Sequence, residues 1–96
     1  MYTPLILHIS HKIEDYEIIQ LHLLYPDNQF LLTKVDYILQ GNMNNLLYNA
    51  SKMGDYAMIN YLIKKGATKW EWGVYGAEKG GHRELVKFFE RKLQQN

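Results

Sequence analysis

The spacing of apolar residues predicts helices along most of the chain. Near the C-terminus, Leu85, Val86, Phe88, Phe89 and Leu93 recur at three- and four-residue steps, giving a helix with one broad apolar face from 83 to about 93. Val74 and Ala77 mark a short helix within 73–79, and Gly80-Gly81 break it, because glycine accepts the left-handed backbone that closes a helix. The preceding stretch has the same arrangement. Leu46, Leu47 and Ala50 mark a first helix and Gly54 a turn. Met58, Ile59, Leu62 and Ile63 form the stripe of a second helix, with Gly66 as its C-cap. Each unit reads as helix, tight turn, helix.

The two units are offset by 27 residues, within the range of periods that signals stacked supersecondary units. Tyr48-Asn49-Ala50-Ser51-Lys52-Met53-Gly54 aligns with Tyr75-Gly76-Ala77-Glu78-Lys79-Gly80-Gly81, with Tyr, Ala, Lys and Gly in matching places. Beyond the glycine, Ile59 matches Val86, Tyr61 matches Phe88, Leu62 matches Phe89 and Lys65 matches Lys92.

The N-terminal segment reads as a more degenerate copy. Thr3 can cap a helix that Pro4 opens, where a missing N–H costs nothing, and Leu5, Ile6 and Ile9 continue at helical spacing. The stretch from Asp15 to Leu21 echoes that from Asp55 to Tyr61 at an offset of 40, so roughly a dozen residues are inserted between the first and second units. Pro26-Asp27-Asn28 supplies a turn. Residues 29–40 favour a short helix using Leu31, Val35, Ile38 and Leu39, although their β-branched and aromatic content also permits a strand. The expected organisation is one all-α domain over 1–96. It comprises a degenerate repeat at about 2–27, an insertion at about 28–41, and repeats at about 42–67 and 68–96.

Composition narrows the function classes. A chain of 96 residues is one domain of modest core, or one piece of a longer array. It has no cysteine, which removes disulfides, thiolate catalysis and cysteine-ligated zinc, and fits a reducing compartment. No apolar run approaches the roughly 18–20 residues that span a bilayer, and no signal-peptide pattern opens the chain. An intracellular, cytoplasmic location is expected. Charge is uneven, with a net −3 over residues 1–48 and +4 over 49–96. Lys64, Lys65, Arg91 and Lys92 fall at predicted helix ends, where cations complement the helix dipole, so the basic half does not by itself point to nucleic acid.

The quoted residues resemble ankyrin repeats. Thr3-Pro4-Leu5 looks like the ankyrin helix-start motif, and Gly81-His82-Arg83-Glu84-Leu85-Val86 looks like its second-helix motif. The run from Trp70 to His82 is closer to the shortened ankyrin-like repeats abundant in large DNA viruses. The resemblance is good over 42–96, weak over 3–25 and absent over 28–41. Its period is shorter than the roughly 33 residues of an ordinary ankyrin repeat, and no Thr-Pro-Leu opens the second or third unit. The projecting β-turn finger must therefore be trimmed to a short loop. The implied fold is a short solenoid of about three stacked helical hairpins.

That resemblance implies a non-enzymatic module that binds a protein partner through its concave inner-helix and loop surface. The alternative is a small structural component that packs against itself or a larger assembly, a viral one by the resemblance. By position in the repeat, Asn42, Asn44, Lys52 and Met53 are expected at the surface of the second unit, and Thr68, Lys69, Glu71 and Lys79 at that of the third. Trp70 is the candidate exposed anchor. Trp72 is expected to pack just before the first helix, and Tyr48 and Tyr75 to pack within the inner helices.

No catalytic, cofactor-binding or metal-binding residue is expected. By resemblance, the His82 ring orders the turn by hydrogen bonding. His8 and His11 could share a helix face, but two imidazoles do not make a closed metal site. Ser10 and Ser51 lie in no nucleophile-elbow pattern. Gly73, Gly76, Gly80 and Gly81 match neither phosphate-loop spacing and are explained by close packing and a turn. Glu71 and Glu78, seven residues apart, carry no sign of an acid–base pair. No specific nucleic acid, membrane or small-molecule substrate is expected as a partner, and the chain is either a monomer or an assembly component.

Overall fold

The computed structural model describes residues 14–95, and all their regular structure is α-helical. The helices are α1 (Asp15–Leu24), α2 (Gln29–Met53), α3 (Tyr56–Lys64), α4 (Trp70–Gly80) and α5 (Arg83–Gln94). Among the described residues no helix is long and apolar enough to cross a membrane. The Thr3-Pro4-Leu5 start and the His8/His11 pair lie outside the described residues. The chain divides into two compact units at 40/41, a boundary that falls inside α2.

In the first unit, the Glu14 N–H donates to Glu17 Oε1 at 3.0 Å, so the residue at N3 reaches back to satisfy a helix-start donor. The turn through Pro26 and Asp27 closes with Asn28 N–H on the Tyr25 carbonyl. Asn28 then caps α2, its Oδ1 accepting from Leu31 N–H at 3.0 Å. Ile19 and His22 of α1, and Val35 and Ile38 of α2, are buried at i, i+3 spacing. Residues 29–40 are thus helical, the favoured alternative, but the helix is not short. It runs on without a break through 53, across the expected 41/42 repeat boundary.

The second unit contains the repeat, and its backbone repeats bond for bond. At the end of α2, Asp55 N–H bonds the Ala50 carbonyl and Gly54 N–H the Ser51 carbonyl; 27 residues later, His82 N–H bonds Ala77 and Gly81 N–H bonds Glu78. These paired bonds satisfy helix-end carbonyls and require a left-handed residue, supplied by Gly54 (φ 69°) and Gly81 (φ 76°). Ile59 to Asp55 and Val86 to His82 then open the next helices at the same offset. Ala50 and Ala77, Met58 and Leu85, and Leu62 and Phe89 are buried at both copies. A cation–π contact recurs as well, Lys65 over Tyr61 at 5.6 Å and Lys92 over Phe88 at 5.5 Å.

Contacts fix the helix directions. Trp70 stacks on Phe89 with centroids 6.2 Å apart, Lys92 Nζ lies 5.8 Å from the Trp70 ring, and a Cβ at Gly73 would sit 2.7 Å from Phe89 ring atoms. Advancing along α4 retreats along α5, so the pair is an antiparallel hairpin. Between hairpins the pattern differs. A Cβ at Gly76 would run into the Tyr48 carbonyl and one at Gly80 into the Lys52 carbonyl. Both helices advance four residues together, so the end of α2 and α4 lie parallel with their backbones touching. Only glycine permits that approach. The connector is residues 65–69, with Ala67 buried and no room for a projecting finger.

Candidate functional site: the face of α2 and α4

Parallel packing of the end of α2 and α4 brings two equivalent stripes side by side. On α4, Trp72, Tyr75 and Lys79 are exposed at i, i+3 and i+7, one face of the helix. On α2, the equivalents are Asn45, Tyr48 and Lys52, with Asn45 and Lys52 exposed and Tyr48 half-buried. Trp72 and Tyr75 meet edge to face at 6.2 Å and are 39% and 55% exposed. They form an aromatic pair on the surface, not in the core.

The expected surface set divides. Lys52 and Lys79 lie on the paired stripes. Met53, at the end of α2, and Thr68 and Lys69, in the connector, are exposed, as is Asn44, while Asn42 and Glu71 are half-buried. Trp70 must be corrected. It is 9% exposed, stacked on Phe89 beneath Lys92, and cannot serve as a surface anchor. The expectations for Trp72 and Tyr75 are likewise reversed. The physical reason is helix register: α4 begins at Trp70, not Gly73, and residues 70, 73 and 77 occupy the face turned to α5, leaving 72 and 75 outward.

The turns solve one problem in two ways. Asp55 Oδ1 accepts from Met58 N–H at 3.1 Å and caps its own helix. At the equivalent position, His82 Nε2 lies 3.0 Å from the Lys52 carbonyl. A carbonyl only accepts, so Nε2 carries the proton and the ring donates across to the preceding hairpin, satisfying a helix-end carbonyl. The ring does hydrogen-bond, but it ties two hairpins together and does not order its own turn. Among the described residues, no group of three or more His, Asp or Glu side chains converges to hold a metal ion.

No protein-family model, curated protein or solved structure matches the chain.

Trp72 and Tyr75 are the surface residues that the repeat position alone misassigned, while Tyr48 is half-buried. One signal in the sequence pointed to Tyr75. The 27-residue alignment retains Tyr at 48 and 75 while most neighbouring positions change.

Proposed function

We propose that this chain is a non-enzymatic interaction module, a short stack of helical hairpins of the shortened ankyrin-like kind, which holds a protein segment across the paired faces of α2 and α4. The observation that carries the reading is the exposed Trp72–Tyr75 pair, set in register beside Tyr48 on a parallel, backbone-contacting helix. Aromatic side chains of limited rotamer freedom, presented on rigid helices, are the usual energetic anchors of protein interfaces. The backbone repeat at 27 residues supports the hairpin-stack reading, since each hairpin buries one face on the next.

The assembly alternative has less support. The face that the second hairpin turns to the third carries buried Leu47, Ser51 and Ile59, with Ser51 Cβ facing Gly76. At the equivalent positions the third hairpin carries half-buried Val74 and Val86 and exposed Glu78. A charge at 78 replaces the small contact residue, so a second copy would not pack there as the third hairpin packs on Ser51.

The test is selection of a random linear peptide library on the immobilised protein, followed by fluorescence anisotropy of the selected peptides. Trp72→Ala/Tyr75→Ala is expected to keep the helical circular dichroism and remain folded at the assay temperature while weakening binding by roughly tenfold or more. Undiminished binding to that variant would defeat the proposal.

A further inference from the structure

The two copies of the repeat are identical at Tyr48/Tyr75, Ala50/Ala77, Lys52/Lys79, Gly54/Gly81 and Lys65/Lys92. Three of these identities have a reason inside the molecule. The alanines are fully buried, the glycines hold positive φ, and the Lys65 and Lys92 ammonium groups sit over Tyr61 and Phe88. The other two are less bound by packing: Tyr75 is 55% exposed against the edge of Trp72, Tyr48 is half-buried, and neither Lys52 nor Lys79 has a carboxylate partner among the described residues. A cation in the last helical turn complements the dipole wherever it falls on the circumference. That effect does not account for a Tyr-x-x-x-Lys pair repeated on the same outward face while the core positions around it change from Leu46 to Gly73 and from Leu62 to Phe89.

Resting on the interaction-module reading, we propose that this doubled Tyr-x-x-x-Lys face recognises an extended acidic peptide segment, whose carboxylates, two residues apart on one face of the strand, pair with Lys52 and Lys79 while further side chains of that same face pack on Tyr48, Tyr75 and Trp72. Spacing supports the match. Helices packed through glycine stand at about 8 Å, the close end of the usual range. An extended chain rises about 3.3 Å per residue and alternates its faces, so carboxylates two residues apart, on one face, come within reach of the two ammonium groups. The segment crosses the helices, one acidic residue per hairpin. Tyrosine hydroxyls beside the lysines supply neutral donors to the same carboxylates.

Aromatics and lysines together also suit single-stranded nucleic acid. The surroundings favour the peptide. Glu71 and Glu78 flank the α4 stripe on the side away from α2, and a continuous polyanion running past α4 would meet both, whereas a peptide places its charges singly.

The experiment repeats the library selection on the wild type and on the charge-reversed Lys52→Glu/Lys79→Glu protein, with Trp72→Ala/Tyr75→Ala and oligothymidine as further arms. Wild-type selection is expected to enrich Asp and Glu two residues apart. The reversed protein should lose those peptides by roughly tenfold or more and select Lys and Arg instead. Wild-type peptides without acidic enrichment, or the same peptides from both proteins, would overturn the acidic-ligand proposal. If such peptides still lose affinity on Trp72→Ala/Tyr75→Ala, the interaction surface survives and only its ligand chemistry is wrong. If they do not, or if no peptide is enriched, both readings fall. Displacement of the peptides by oligothymidine, with steep salt dependence and loss in the reversed protein, would assign the face to nucleic acid instead.

Discussion

Replacing Gly76 with alanine sets two known effects against each other. Alanine in a helix interior is favoured over glycine by about 1 kcal/mol, because glycine loses more backbone freedom on folding. Against that gain, the new methyl would run into the Tyr48 carbonyl and stand 3.1 Å from Ser51 Cβ. The carbonyl belongs to helix backbone and cannot swing aside, so α4 must move off α2. Overpacking of a tight interface costs about 1–3 kcal/mol, and a backbone clash belongs at the upper end. The expected net loss for Gly76→Ala is therefore about 2 kcal/mol.

The matched control is Gly41→Ala. Gly41 is also in a helix interior, with nothing within 4 Å of where its Cβ would stand, so the propensity gain is unopposed and a stabilisation of about 1 kcal/mol is expected. Guanidinium unfolding followed by circular dichroism would read the two variants as shifts of opposite sign. In thermal melts, about 1 kcal/mol corresponds to roughly 4–8 °C for a chain of this size. Ser51→Gly added to Gly76→Ala should recover only a small part of the loss, since it relieves the side-chain contact and leaves the carbonyl in place. A Gly76→Ala protein as stable as wild type, or full rescue by Ser51→Gly, would refute the reasoning that backbone contact sets this spacing.

Three further outcomes follow from single contacts. Ser51→Ala should stabilise the protein by about 1 kcal/mol in chemical denaturation, because its fully buried hydroxyl has no hydrogen-bond partner and alanine is the better helix former. His82→Ala should cost about 1 kcal/mol and speed amide exchange at the α2–α3 turn, because the Lys52 carbonyl loses its donor. Trp70→Ala should cost about 3–5 kcal/mol, while Trp72→Ala, which removes a part-exposed ring and its edge contact with Tyr75, should cost about 1 kcal/mol. Acrylamide quenching of each single-tryptophan variant should show Trp72 as the accessible ring.

Much of the second unit is legible in the chain because its signals are local. Gly54, Gly66 and Gly81 mark helix ends by their conformational freedom alone, and the stripes on α3 and α5 follow the helical period without help from neighbours. The failures arise where packing overrides local preference. Gly41-Asn42-Met43-Asn44-Asn45 reads as a loop, since one glycine and three asparagines cost roughly 3 kcal/mol against alanine in a helix. Yet α2 continues through it, because Val35 and Ile38 are buried before it and Leu46 and Leu47 after it, each worth about 1.5–3 kcal/mol. The start of α4 was hidden for a similar reason. Gly73 and Gly76 argue against helix by propensity, and only the arrival of the Phe89 ring and the Tyr48 carbonyl explains why they are glycine. Misplacing that start left Trp70 and Trp72 outside the expected helix, so the roughly 200° that two residues turn, which sets the two rings on opposite faces, did not enter their assignment.

The same glycines link the stability of the stack to the proposed binding face. A larger residue at 76 would widen the gap between the two Tyr-x-x-x-Lys stripes, so that a ligand bridging Lys52 and Lys79 would strain to reach both. A stripe on one helix alone offers a single ion pair at the surface, worth at most about 1 kcal/mol. Two stripes held at fixed separation let the second contact form at high effective concentration once the first is made. On this argument Gly76→Ala should weaken selected acidic peptides even under conditions where the variant is fully folded. Gly41→Ala, which alters stability without touching the α2–α4 spacing, should leave them unaffected.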